Sequence, residues 1–278
     1  MGKNTIKIKF WGVRGSIPTP GKSTLKYGGN TACVQVTCGD TMLIFDAVSG
    51  IRVLGQELMT QLPITAHLLL SHYHWDHMQG FPFFTPAFIP GNTIHIYGKK
   101  PKNTSIEYMF RHQMSEPHFP VPMDIMQSKM TFKNIKPNTT FKINDVKVEV
   151  KKLNHAYESV GYKITWKKKT VAYISDTEHY PDKLDKNVVE LAKNTDIFIY
   201  DSMYTDAEYH NPDFPKVGWG HSTWQEAVKI AKAAKAKELV IFHHDPIHDD
   251  KTMDKISRQV KKAYPHSITA KEGMTITL

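Results

Sequence analysis

The chain of 278 residues has only two cysteines, no apolar run approaching the ~20 residues that cross a bilayer, no low-complexity tract and no internal repeat. Each absence excludes something. Cys33 and Cys38 lie in one expected strand at an odd separation, so their side chains point to opposite faces and do not share a metal. They read as small buried thiols of a reducing compartment, not as a disulfide or a nucleophile. Residues 1–11 alternate Lys with Ile and Phe where a signal peptide would carry an apolar core. With no span and no leader, the expectation is a cytoplasmic protein with no membrane partner.

The charge balance is one-sided, with 36 Lys and Arg against 27 Asp and Glu and a net charge of +9. No basic helix or aromatic-basic stripe accompanies it, so charge alone does not argue for nucleic-acid binding. Lysines cluster at 99, 100 and 102, at 151 and 152, and at 167–169. They would draw an anionic substrate, or they are solvated loop residues, as 167–169 before Thr170 would be in a hairpin turn.

Short or alternating apolar segments predict strands at 5–11, 32–37, 42–45, 67–70, 93–97, 146–153, 161–166, 170–174 and 197–200. Apolar residues three or four apart predict helices at 49–59, 105–114, 183–193, 223–234 and 252–263. Strands come first, helices are interspersed, and strands return before the last helices. That order fits neither a parallel βαβ series nor an all-β sandwich; it fits an α/β protein of two sheets with helices outside. No linker divides the chain, so one domain over residues 1–278 is expected. Residues 81–130 stand apart, rich in Phe, Met and Pro. They read either as an insertion packed on its own core or as a substrate lid or dimerisation contact presenting Phe110, Met114, Phe119 and Met123.

The densest chemistry follows the apolar strand at 67–70. Three histidines and a carboxylate, His72, His74, Asp76 and His77, occur within six residues. In extended backbone His72 and His74 face one side, and past the bend Asp76 and His77 turn toward a second point. Neutral imidazoles and carboxylates suit zinc and similar divalent ions, and two adjacent ions can be served.

This His-x-His-x-Asp-His run after a hydrophobic strand resembles the signature of the metallo-β-lactamase superfamily, which implies a four-layer αββα sandwich with metals at one edge. The resemblance implies a ligand set in chain order. His72, His74 and His155 would hold one ion, Asp76, His77 and His243 the other, and Asp176 would bridge, while Asp46 would support the histidine loop. The ions would be zinc, with manganese or iron as alternatives. Gly218-Trp219-Gly220-His221-Ser222-Thr223, with His221 lying 22 positions before His243, resembles the phosphodiesterase branch that includes ribonuclease Z. There the equivalent histidine assists the leaving group, so His221 and Asp76 are the expected catalytic residues. The alternative is that His221 merely begins a helix. The opening 10–20 and 27–31 resemble the same branch and make Arg14 and Asn30 candidates for phosphate or support contacts, with Phe119 and His221 as further substrate contacts.

Two departures narrow the resemblance. Only 20 residues separate His155 from Asp176, so the arm of long-arm ribonuclease Z is missing there. Val48 replaces a glycine usual two residues after the early aspartate, which bears on the local turn. Trp-Gly-Val-Arg-Gly-Ser near the start and Phe-His-His-Asp-Pro near the end look closer to stand-alone members similar to cyclic-nucleotide phosphodiesterases. The leading expectation is hydrolysis of a small anionic 3′,5′-cyclic nucleotide by a homodimer. The alternatives are an RNA 3′-end endonuclease and a metal-holding regulatory scaffold.

Overall fold

The computed structural model describes residues 4–156 and 159–278. Two seven-stranded sheets face each other. In the first, β1 (Ile6–Gly12), β2 (Cys33–Cys38) and β3 (Thr41–Phe45) pair antiparallel, and β4 (Thr65–Leu69), β5 (Thr93–Lys99) and β6 (Lys129–Ile135) continue from β3 in parallel. In the second, β7 (Thr139–Ile143), β8 (Val146–Lys152), β9 (Val160–Trp166) and β10 (Lys169–Ile174) are antiparallel neighbours. Parallel strands β11 (Ile197–Asp201), β12 (Glu238–Phe242) and β13 (Ser267–Thr269) then extend β10. The last strand, β14 (Thr275–Thr277), returns to pair with β1.

Helices α1 (Ser49–Leu58), α2 (Trp75–Met78), α3 (Ile106–Gln113), α4 (Lys186–Ala192), α5 (Asp206–Tyr209), α6 (Trp224–Ala234) and α7 (Asp250–Ala263) complete the fold. The period-2 alternation of the strands makes the layers. Ile8, Phe10, Val34, Val36, Val148, Tyr162, Val171, Ile199 and Phe242 fill the space between the sheets. Their neighbours face out: Ile44, Leu68 and Ile94 meet α1 and α3, and Phe198, Leu239 and Ile241 meet α4, α6 and α7. This is the expected αββα order. Cys38 lies in the core between the sheets and Cys33 in the outer one, on opposite faces; burial raises both thiols, Cys38 to about 12.

All nine expected strands and five expected helices are present, with ends shifted by a few residues. The unexpected strands have weak patterns: β6 and β7 are polar sheet edges, β13 and β14 have three residues each, and β12 is a short, almost wholly apolar run. The lysine turn between β9 and β10 is a hairpin, with Lys167 in the left-handed region. Val48 is accommodated as the extended residue that precedes α1.

The expectation for 81–130 is corrected in part. Phe110, Met114 and Met123 are buried together with Phe81 and Phe84 against the outer face of the first sheet, because that face needs apolar cover from more than α1. Phe119 is half-buried and edge-on to Phe83, which is 54% exposed. Among the described residues no helix is long and apolar enough to cross a membrane.

Candidate metal centre

Six loops converge at one edge of the sandwich, all at carboxyl ends of strands, where open α/β sheets place their ligands. Asp46 follows β3, the loop from Ser71 to His77 follows β4, and His155 follows β8. Asp176 follows β10, Asp201 ends β11, and His243 follows β12. Three of these residues leave their strands in the left-handed region, Asp46 at φ 58°, Asp176 at 53° and His243 at 63°. Such backbone is costly for residues with a Cβ and turns the side chain sharply off the strand.

The candidate ligands form two groups. In the first, Nε2 of His72 lies 2.8 Å from Nδ1 of His74, which lies 3.2 Å from Nε2 of His155. The second comprises Asp76, His77, Asp176 and His243. Asp176 stands between the groups with its oxygens divided. Its Oδ1 is 3.1 Å from Nε2 of His77 and 3.2 Å from Nε2 of His243, and its Oδ2 is 3.9 Å from Nε2 of both His72 and His155.

Behind the rings lies a layer that orients them. Asp46 accepts from the Ser71 N–H at 2.8 Å, from the Tyr173 hydroxyl at 2.8 Å, and faces Nδ1 of His77 at 3.0 Å. Ser71 Oγ lies 3.0 Å from Nδ1 of His72, and the Gly220 carbonyl accepts from Nδ1 of His155 at 2.8 Å. Fixing one ring nitrogen in this way aims the other.

The donor set fits divalent cations. Nε2 of His77 and both ring nitrogens of His243 are buried without a hydrogen-bond partner among the described residues, which is costly unless something else satisfies them. Burial and the neighbouring rings hold His72 well below the ordinary imidazole range. Burial would lower His77 too, but Asp176, Asp46 and Asp76 hold it well above. Carboxylates this deeply buried require positive charge nearby. Imidazole and carboxylate donors with no thiolate suit zinc, manganese or iron.

His221 lies two residues before Thr223, whose hydroxyl caps α6 by accepting from Glu226 N–H; it is therefore not part of the helix. It is buried, stacked on His243 at a centroid distance of 5.2 Å, with Nδ1 donating to Asp201 Oδ2 at 2.9 Å. Burial alone would lower its pKa; the charge and hydrogen bond of Asp201 outweigh that and raise it to about 9. Asp201 was missed in the sequence, although a carboxylate ending the fully buried strand Ile-Phe-Ile-Tyr-Asp was a signal that could have found it. Glu178, also missed, accepts from the N–H groups of Gly218 at 2.6 Å and Gly220 at 3.0 Å and so holds the loop before His221.

The remaining candidates lie around this centre. Asn30 makes support contacts: its side-chain amide donates to Glu272 at 2.5 Å and its carbonyl accepts from the N–H groups of Val13 and Arg14. Arg14 is buried and donates to the carbonyls of Gly28, Asp245 and His248. Its neighbour Gly15 packs so closely that a Cβ there would come within 2.6 Å of His243 Cε1. His244 is buried too, bonded to the Ala270 carbonyl and edge-on to Tyr27.

Residues 41–244 match the beta-lactamase superfamily domain. The chain belongs to the beta-lactamase superfamily. It is a metal-dependent hydrolase, and the similarity reaches beyond the matched region. The chain is 24% identical to ribonuclease Z of Picrophilus torridus over 97% of its length and 94% of that protein's. Its fold is that of the metallo-beta-lactamase fold protein YhfI from Bacillus subtilis, with a TM-score of 0.73, 19% identity and coverage of 99% of this chain and 100% of that one. A diphosphatase of the PhnP family superposes equally well, at a TM-score of 0.73 and 17% identity over 98% of this chain and 97% of that one.

Proposed function

We propose that this superfamily member is a dinuclear phosphodiesterase that cleaves nucleotide phosphodiester bonds, with 3′,5′-cyclic nucleotides as the smallest substrates that suit it. The observation that carries the reading is the divided carboxylate of Asp176 with the His221–Asp201 pair beside it. His72, His74 and His155 would hold one divalent ion and Asp76, His77 and His243 the second, with Asp176 placed between the two groups. Ions bound there supply a water nucleophile at neutral pH and Lewis acidity toward the phosphoryl oxygens.

The chain's own groups supply the rest. Nδ1 of His221 donates to Asp201, which leaves Nε2 as the atom that delivers a proton to the departing sugar oxygen. Asp201 holds the ring and its charge in place, and Thr177 N–H and Met203 N–H in turn hold Asp201, at 3.3 and 3.2 Å. A sugar alkoxide is a poor leaving group, so this proton is worth ~10²- to 10⁴-fold in rate. Acyl or lactam hydrolysis would not need a histidine with its own carboxylate beside the metal groups.

A second reading, cleavage of RNA near a 3′ end, is favoured by the full-length similarity to ribonuclease Z. Turnover of a cyclic-nucleotide panel beside an unprocessed transfer RNA, with metal-reconstituted enzyme, separates the two. Elemental analysis of the same enzyme should give about two divalent ions per chain. Asp176→Ala should abolish turnover and lower the metal content while the circular dichroism spectrum stays native. Substantially less than one ion per reconstituted wild-type chain would sink the dinuclear assignment.

A further inference from the structure

The segment between α5 and α6 carries three exposed apolar side chains within six residues, Phe214 at 59%, Val217 at 57% and Trp219 at 50%. Large apolar groups gathered in one place on a surface mark a contact with something other than water. The two rings meet edge to face at 5.4 Å. The ammonium of Lys216 lies over both, 3.9 Å from the centre of Phe214 and 4.1 Å from that of Trp219. Lys216 thus occupies one face of the indole, and half of the Trp219 surface remains open.

The rings are held in place by their own backbone. Pro212 and Pro215 fix φ at two positions. The N–H groups of Asp213 and Phe214 donate to Asn211 Oδ1 at 2.9 and 3.1 Å. That of Lys216 donates to the Tyr209 carbonyl at 3.0 Å, and that of Trp219 to the Lys216 carbonyl at 3.1 Å. Glu178 holds the N–H groups on either side of Trp219, those of Gly218 and Gly220. A ring fixed before its partner arrives loses little further freedom on stacking.

The position of this platform selects its ligand. Gly220, next to Trp219, is bonded through its carbonyl to His155, and His221 follows it. Two residues of chain reach at most about 7 Å, so the Trp219 backbone lies within one sugar's reach of the histidine assigned to the departing oxygen. Lys216 also approaches the ring of Tyr204, at 6.0 Å, and Tyr204 is edge-on to His221 at 6.2 Å. A planar base at the end of a sugar phosphate matches an open indole, and the ammonium beside it draws the phosphate. A base-free sugar phosphate or a lipid phosphodiester offers no such ring.

We propose that Trp219, set between Phe214 and Lys216, is the stacking site for the nucleobase of the nucleoside whose oxygen departs. The preferred phosphodiesters are then those that bear a base, purines above pyrimidines because the larger ring covers more of the indole. This rests on the phosphodiesterase reading above and names the part of the substrate that sets KM.

The test gives the metal-reconstituted full chain two esters in which the same bond breaks: adenosine 3′,5′-cyclic phosphate, and 1-deoxyribofuranose 3,5-cyclic phosphate, in which hydrogen replaces the base. The first should show a KM roughly ten-fold lower. In Trp219→Ala the ratio of the two KM values should fall to about one, and Trp219→Phe should keep most of it, because a phenyl ring still stacks. Equal KM values in the wild type, or an unchanged ratio in Trp219→Ala, would overturn the stacking site while leaving the phosphodiesterase reading intact. If neither ester is hydrolysed, the cyclic-nucleotide reading fails, and calorimetry still decides the platform. Adenosine 5′-monophosphate should bind the wild type about ten-fold more tightly than ribose 5-phosphate and lose that advantage in Trp219→Ala. Equal binding of the two, or an advantage that survives the substitution, rejects the site.

Discussion

The carbonyl of Gly220 accepts a hydrogen bond from Nδ1 of His155 at 2.8 Å, which joins a candidate ligand of the first metal to the loop that carries His221. The loop is fixed on its other side by Glu178, so one carboxylate, two glycine N–H groups and one carbonyl set the orientation of both histidines.

Gly220 has φ 85°, and a Cβ there would lie 2.4 Å from Nδ1 of His155. Gly220→Ala should therefore turn the imidazole away from the first site. A loss of metal affinity of roughly 10- to 100-fold is expected, as for other outer partners of ligating histidines. Competition with a calibrated chelator measures it. Undiminished affinity would show that the His155 ring is held by something other than this contact.

His221→Ala should keep both metals and lose ~10²- to 10⁴-fold in kcat on a cyclic nucleotide, with a far smaller loss on bis(p-nitrophenyl) phosphate, whose phenolate leaves unaided. Asp201→Asn should show the same substrate-dependent pattern at smaller size, because it keeps the hydrogen-bonding shape and removes the charge that holds the imidazolium. Equal losses on both substrates would make His221 a phosphate-positioning residue, and no loss on either would remove it from the site.

Phe110 is fully buried and edge-on to Phe81 at 4.7 Å. Phe110→Ala should cost about 3 to 5 kcal/mol of stability through the cavity it leaves, read from chemical denaturation, without a specific change in KM. A raised KM at unaltered stability would restore the lid reading for 81–130.

His67 provides a pH dependence away from the metals. It is 6% exposed, stacked on His95 at 4.9 Å, with Nδ1 3.2 Å from the Tyr97 hydroxyl. Burial, then the charges of His95 and Lys133, lowers its pKa to about 4. Its folded pKa thus lies below its unfolded value, so the unfolded chain binds the proton first. Stability should be full above about pH 6.5 and fall as the pH drops toward 4, by about 3 kcal/mol from this one group. Metal-free wild type and His67→Gln, melted between pH 7.5 and 4.5, should diverge as the pH falls, by up to about that amount. Parallel curves would mean that His67 is protonated as readily in the folded protein as in the unfolded one.

The residues legible in sequence are those whose geometry is local. His72 and His74 point together because adjacent-but-one side chains in extended backbone share a face, and Asp76 and His77 follow within one turn. The period-2 and period-3.6 patterns likewise placed nine strands and the five longest helices, since one face of each is buried, but not β6, whose seven residues are mostly polar. Asp176 and His243 were readable as the polar ends of apolar strands, but that they meet was implied only by resemblance.

Tertiary structure alone decided the contacts made across long separations. Asp201 faces His221 only because β11 and the loop before α6 end at the same edge of one sheet. Glu178 reaches Gly218 and Gly220, and Asn30 reaches Glu272, through loop paths with no periodic signature. The Phe- and Met-rich segment became core because the outer face of the first sheet is wider than α1 can cover. The lysines at 99, 100 and 102 read in sequence as an anion-attracting surface or a solvated loop, and it is the Tyr73 hydrogen bond to the Lys99 carbonyl that brings that loop against the candidate ligand histidines. A side chain's neighbours along the chain set its conformation, but its chemistry depends on the electrostatic field of groups that only folding brings near.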